Sequence, residues 1–127
     1  MLTHKELFCK AESHMLLQGK QSVFDERCVY RHPDGLKCGL GALITDEAYT
    51  PELEGVTIES FLRPDGIEDE KKGPMIISAL EKSGIPTDRE TLELLDDIQT
   101  VHDCHEPDAW KTELQKIADR ILEGFYE

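Results

Sequence analysis

Apolar positions recur at helical spacing over most of the chain. Leu7, Phe8, Ala11 and Met15 fall on one face of a stretch that Thr3 opens and Gly19 closes. Thr3 with Glu6 forms a capping box and Leu2 can staple to Leu7, so residues 3–18 are predicted as a helix docking one face on a core. Cys9 lies off that stripe, and His4 and His14 are expected to face water. Pro74, at the favoured first helical position, and Gly84, as a stop, bound a second helix over residues 75–83. Thr87-Asp88-Arg89-Glu90 reads as another capping box. Behind it Leu92, Leu95, Ile98 and His102 trace one stripe, with Leu94, Val101 and His105 close by. Glu93, Asp96, Asp97, Thr100 and Asp103 fall on or toward the wet side. Pro107 ends this helix and can open the last, where Trp110, Leu114, Ile117, Ile121 and Phe125 give the cleanest amphipathic pattern in the chain.

The pattern changes over residues 27–44, RCVYRHPDGLKCGLGALI. Pro33-Asp34-Gly35 is a turn: proline presets φ, aspartate can bond its own backbone, and glycine takes a positive φ. Val29 and Tyr30 favour a strand before it, and Leu36 and Cys38 can form a short return strand. A three-residue loop pairs His32 with Leu36 and Tyr30 with Cys38, which makes Cys28 and Cys38 diagonal neighbours on one face. A two-residue loop puts those cysteines on opposite faces. A further short strand can begin at Ser22-Val23-Phe24. Gly39 to Ile44 is apolar and small, which predicts a short buried helix. Residues 45–55 and 63–73 read as loops, and residues 56–62 as a short strand or irregular buried segment. The expected class is α+β, a mainly helical single domain over residues 1–127 around one short β-hairpin.

Charge narrows the function classes. The chain carries 14 Lys/Arg and 27 Asp/Glu, a net charge of −13. Residues 1–63 hold 7 and 10 of these (−3), and residues 64–127 hold 7 and 17 (−10). Such a balance argues against direct binding to a phosphate backbone, which requires cationic neutralisation. It suits a partner with a basic surface, including a nucleic-acid-binding groove on another protein. The acidic face expected to meet it comprises Glu90, Glu93 and Asp97 with Asp65, Glu68, Asp69 and Glu70. No apolar run approaches the roughly 18 residues of a membrane span. The first 20 residues lack a basic start and apolar block, so the expected location is cytoplasmic. In that compartment Cys9, Cys28, Cys38 and Cys104 are expected to be reduced.

Three constellations could carry chemistry. Cys38, between a strand and a helix start and beside Lys37, is a candidate thiolate nucleophile with His102 or His105 as base and Asp103 or Asp97 orienting it. Cys28, Cys38, His102 and His105, or Cys104 in place of one histidine, could instead form a tetrahedral zinc shell, since residues three apart on a helix share a face. The pair His102-Asp103 also matches a fragment of a metal-dependent phosphohydrolase signature, for which His14 and Asp119 would have to be recruited. The sequence contains no Walker loop, dinucleotide glycine pattern or HExxH helix.

Cys28-Val29-Tyr30-Arg31, Asp34-Gly35-Leu36-Lys37-Cys38, Gly41-Ala42-Leu43-Ile44, Asp46-Glu47, Glu54-Gly55, Gln99, His102-Asp103 and Trp110 together resemble a family of small phage, prophage and bacterial proteins of uncharacterised activity. The resemblance spans most of residues 20–120. Where the family pattern has alanine after the second cysteine and proline before the Asp46 position, this chain has Gly39 and Thr45. The resemblance implies a phage or mobile-element setting and supplies no catalytic residues. The expectation is a small acidic, non-enzymatic binding protein acting on a host or defence protein, for example as an inhibitor or nucleic-acid mimic, without a cofactor. The competing expectation is a zinc-supported or cysteine-dependent hydrolase using Cys38 and His102.

Overall fold

The computed structural model describes residues 1–55, 58 and 72–126, with residues 72 and 73 described by backbone alone. Asp65, Glu68, Asp69 and Glu70 of the predicted acidic face, the predicted segment over residues 56–62 apart from Ile58, and residues 63–71 of the loop predicted over 63–73 lie outside the described residues; residues 72 and 73 are already helical, so the second helix starts before Pro74 rather than at it. The described elements run α1 (His4–Gln18), β1 (Val23–Phe24), β2 (Arg27–Cys28), α2 (Gly39–Leu43), a 3-10 turn (Pro51–Leu53), α3 (Lys72–Lys82), α4 (Arg89–Cys104), a second 3-10 turn (Pro107–Ala109) and α5 (Trp110–Leu122). This is the mainly helical α+β architecture that the periodicity predicts. No helix among the described residues is long and apolar enough to cross a membrane.

Helix α1 begins and ends where its caps dictate. Thr3 accepts from the Glu6 N–H, the Glu6 carboxylate accepts from the Thr3 N–H, and Gly19 closes the helix at φ 62. Leu7, Phe8, Ala11 and Met15 are its buried face. The two histidines of α1 do not simply face water, as the pattern had suggested. His4 Nε2 lies 2.9 Å from Thr91 Oγ1 and His14 Nε2 lies 2.9 Å from the Lys37 carbonyl. Imidazole at a helix edge reaches a neighbouring element, which the α1 pattern by itself does not encode.

The two-stranded ladder forms one turn earlier than the Pro-Asp-Gly signal suggests. Val23 pairs with Cys28 and Phe24 with Arg27, around Asp25 and Glu26, both at positive φ (54 and 65). The two positive φ values allow the close two-residue reversal that a twisted hairpin prefers. The Pro33–Gly35 loop is closed instead by a single bridge, Arg31 with Lys37. His32 N–H donates to Leu36 O at 2.7 Å and Cys38 N–H to Tyr30 O at 3.2 Å, which is the three-residue register.

Helix α2 wedges between α1 and α4, and glycine is what permits it. A Cβ added at Gly41 would overlap the Tyr30 carbonyl, so the helix backbone lies directly on the turn. Leu40, Leu43 and Ile44 then join Met15, Leu94, Leu95, Ile98, Trp110, Leu114 and Ile117 in one core. Helix α4 is capped by Asp88, one residue later than the capping-box pattern suggests. The Asp88 carboxylate accepts from both the N–H and the hydroxyl of Thr91. At the C-terminal end the predicted stripe fails at Phe125, which is 60% exposed. Gly124 takes φ 74 and Phe125 N–H donates back to Arg120 O, so the chain turns and Tyr126 is buried instead.

Candidate functional site

Helix α4 presents Asp96, Gln99, Thr100 and Asp103 along one face, the spacing of residues that stack on successive turns. That face forms one wall of a cleft of about 190 Å³. Cys28 to Tyr30, leaving the hairpin, and Glu54-Gly55 form the facing wall, with Cys104 also lining the cleft. Hydrogen bonding pins both walls. The Glu54 carboxylate accepts from the Tyr30 N–H at 2.9 Å, the Arg31 N–H at 3.2 Å and the Tyr49 hydroxyl at 2.7 Å. Arg31 bonds Asp46 and the Ile44 carbonyl, both at 2.6 Å, and lies over the Tyr49 ring.

At one end of the cleft Cys28, His102 and Asp103 converge, each offering a donor atom within 4.8 Å of the others. Asp103 Oδ1 lies 2.7 Å from His102 Nδ1 and accepts from Gln99 Nε2 at 2.8 Å. His102 is completely buried and stacks on Trp110 with ring centroids 5.5 Å apart. Its Nε2 accepts the Ser22 backbone N–H at 2.9 Å. An imidazole nitrogen that accepts cannot carry the ring proton, so the proton sits on Nδ1 and donates to Asp103. Cys28 is exposed, yet its thiol is pushed up to about 11 by partial burial and then by the adjacent Asp103 carboxylate.

The nucleophile expected at Cys38 is not assembled. Its sulfur is wholly buried and accepts the Gly41 N–H at 3.2 Å, acting as the N-cap of α2. Burial pushes this thiol up to about 12, outweighing the opposing effect of the Gly41 N–H. Lys37, expected to favour the thiolate, lies 4.0 Å from Asp46. His102 and Asp103 do come together as the alternative required, but both imidazole nitrogens are engaged by Ser22 and Asp103, so His102 turns no lone pair toward Cys38, and His105 Nε2 lies 3.9 Å from Glu113.

The expected zinc shell of Cys28, Cys38, His102 and His105 is likewise divided. Cys28 and His102 meet. Cys38 is committed to α2, and His105 Nε2 faces Glu113 at 3.9 Å while its carbonyl accepts from Gln21 and Trp110. His102 also fits a metal poorly as a direct ligand: Nδ1 shows Asp103 a proton, and the lone pair on Nε2 is taken by Ser22.

Of the predicted acidic face, Glu90 is exposed. Glu93 pairs with Arg89 at 3.1 Å, and Asp97 accepts from the Tyr126 hydroxyl at 2.6 Å and lies 3.5 Å from Arg120. Asp97 therefore anchors the C-terminal turn as well as carrying charge. Sequence reasoning missed Ser22, Gln21 and Tyr126, whose partners lie 80, 81 and 29 residues away. Gln99 did leave a signal, because glutamine four residues before aspartate on a helix is a known side-chain pair. No family model matches the chain, and no curated protein or solved structure shows significant similarity to it.

Proposed function

We propose that the protein is a small acidic binding protein of phage or prophage type, acting without catalysis on a host or defence protein that presents a basic surface. The observation that carries this reading is the charge distribution. Residues 64–127 hold 17 acidic against 7 basic side chains. Exposed carboxylates in that half include Glu90, Asp108, Asp119 and Glu123. A surface of this sign steers a cationic partner into encounter and repels nucleic acid, so an inhibitor competing for a nucleic-acid groove is the form of the reading that fits best. The environments of Cys38 and His102 support a non-catalytic role, because each is committed to bonds that hold the fold.

The test is charge reversal on α4. Glu90→Lys with Glu93→Lys should weaken capture of the partner from host lysate at least about tenfold, with the loss concentrated in the association rate and shrinking as salt rises. Asp97→Lys belongs in a separate variant, because it also removes the acceptor for Tyr126. Capture that is insensitive to both salt and the double reversal would refute the reading.

A further inference from the structure

The cleft between the hairpin exit and α4 offers a basic partner something more specific than the sign of its charge. We propose that it is the pocket for one arginine side chain of that partner; the inference rests on the binding-protein reading above and names what the partner must present. At about 190 Å³ the cleft is smaller than the roughly 300–1,000 Å³ that hold a whole small molecule, so it suits a single side chain. Val29, Leu40 and Ile58 in its lining supply apolar surface for a methylene stem, whose charged head would lie at the polar end.

That end is set by Asp103. His102 Nδ1 and Gln99 Nε2 converge on its Oδ1, and neither of these bonds uses Oδ2. His102 is itself fixed, being buried, stacked on Trp110 and bonded to Ser22, so the carboxylate is held in place before any partner arrives. Among the described residues no Lys or Arg lines the cleft or pairs with Asp103. The carboxylate is also only about a third exposed, so its charge is neither neutralised by a cation nor fully solvated. Its field reaches the neighbouring acid groups. Burial raises Cys28, Tyr30 and Cys38, and the Asp103 charge adds to the rise at each. One turn back along α4, Thr100 donates its hydroxyl proton to the Asp96 carbonyl and keeps its oxygen lone pairs as acceptors. A planar guanidinium brings several N–H donors to acceptors on successive turns. It is also less strongly hydrated than an ammonium, which favours arginine over lysine in a partly apolar cleft.

Titration of the isotope-labelled protein with N-acetylarginine amide, followed by NMR amide shifts, tests this directly. The citrulline analogue serves as the neutral isostere. The shifts should concentrate at the backbone amides of Cys28 to Tyr30, Thr100 and Asp103 and at the Gln99 side chain. Citrulline should bind about ten- to a hundredfold more weakly, the worth of a hydrogen bond to a charged group. Asp103→Asn keeps an oxygen for His102 and Gln99, so it should stay folded and lose the preference for arginine over citrulline. Shifts spread over exposed Glu90, Asp108, Asp119 and Glu123 instead of the cleft would overturn the proposal, as would equal binding of the two analogues by the wild-type protein. The two readings fail separately. Salt-sensitive capture of the partner with no arginine bound in the cleft would remove the pocket and leave the charge-steered reading. Arginine bound in the cleft with capture indifferent to salt and to charge reversal would do the opposite.

Discussion

Replacing His102 by alanine is the sharpest test of how this fold is held together. The side chain is completely buried. Four separate contributions disappear with it. The Ser22 N–H, also buried, loses its acceptor, and an unsatisfied buried donor costs about 1–3 kcal/mol. Stacking on Trp110 contributes roughly 0.5–1.5 kcal/mol. The space vacated adds a cavity term, which for truncations of this size brings the total cost to about 3–5 kcal/mol. The bond to Asp103 contributes least, because that carboxylate is about a third exposed and water replaces the lost donor. We therefore expect His102→Ala to lose about 4 kcal/mol, a large share of the 5–15 kcal/mol of a typical domain.

The assay is urea unfolding followed by the fluorescence of the single tryptophan, which is the residue the imidazole stacks on. With a slope of about 2 kcal/mol per molar urea, the midpoint should fall by about 2 M. His102→Gln, which can still present an oxygen toward Ser22, should recover part of that loss. A midpoint shift below about 0.5 M for the alanine variant, equivalent to about 1 kcal/mol, would refute the account. It would mean that water already reaches Ser22 and that the imidazole is not the strut between the hairpin and α4.

Two further outcomes follow from the same geometry. Gly41→Ala forces a Cβ into the Tyr30 carbonyl and should cost about 3 kcal/mol by overpacking and loss of the Cys38 N–H bond, whereas Gly39→Ala meets side-chain atoms rather than backbone, the Ile98 branch methyl at 3.0 Å, the Met15 sulfur at 3.2 Å and Ala11 Cβ at 3.8 Å, and should cost clearly less than Gly41→Ala, as paired urea melts would measure. Cys28 should alkylate slowly despite its exposure: raising the thiol from 9.0 to about 11 leaves about a hundredfold less thiolate at pH 8. Greater intrinsic nucleophilicity restores roughly tenfold, so iodoacetamide labelling read by mass spectrometry should run about tenfold slower than for a cysteine peptide and keep climbing beyond pH 10. A plateau below pH 9 would contradict the partial burial of the sulfur and the placement of Asp103 beside it.

How much of this was legible depended on the range of the interaction that decided each feature. The α1 caps rest on contacts three or four residues apart, and Thr3, Glu6 and Gly19 state them outright. The three-residue register at Pro33–Gly35 was one of two options that local turn chemistry allowed, and the choice fell to Gly41, whose backbone packs on Tyr30 and has no counterpart in the turn itself. Phe125 falls at the end of an apolar stripe because periodicity assumes that the helix continues. Gly124 was the available warning, since glycine at that point lets the chain leave the helix and puts Tyr126 in the core.

The candidate site shows the same division, and it changes what the chemistry-bearing residues mean. Cysteine, histidine and aspartate in one chain suggest a nucleophile, a base and an orienting group, and His102 does contact Asp103. Whether that pair is a catalytic relay or a strut depends on the second imidazole nitrogen, and its partner is a backbone N–H 80 residues away. A base needs its lone pair turned toward a reacting proton, and here the lone pair is spent on Ser22. The same reasoning moves Cys38 from nucleophile to helix cap and leaves Cys9, Cys28 and Cys104 as the thiols that a reagent can reach. Among the described residues, buried Ser22 and His102 are thus explained by the bond that ties the hairpin to α4, Cys38 by the cap of α2, and Thr91 by its bonds to Asp88 and to His4 of α1.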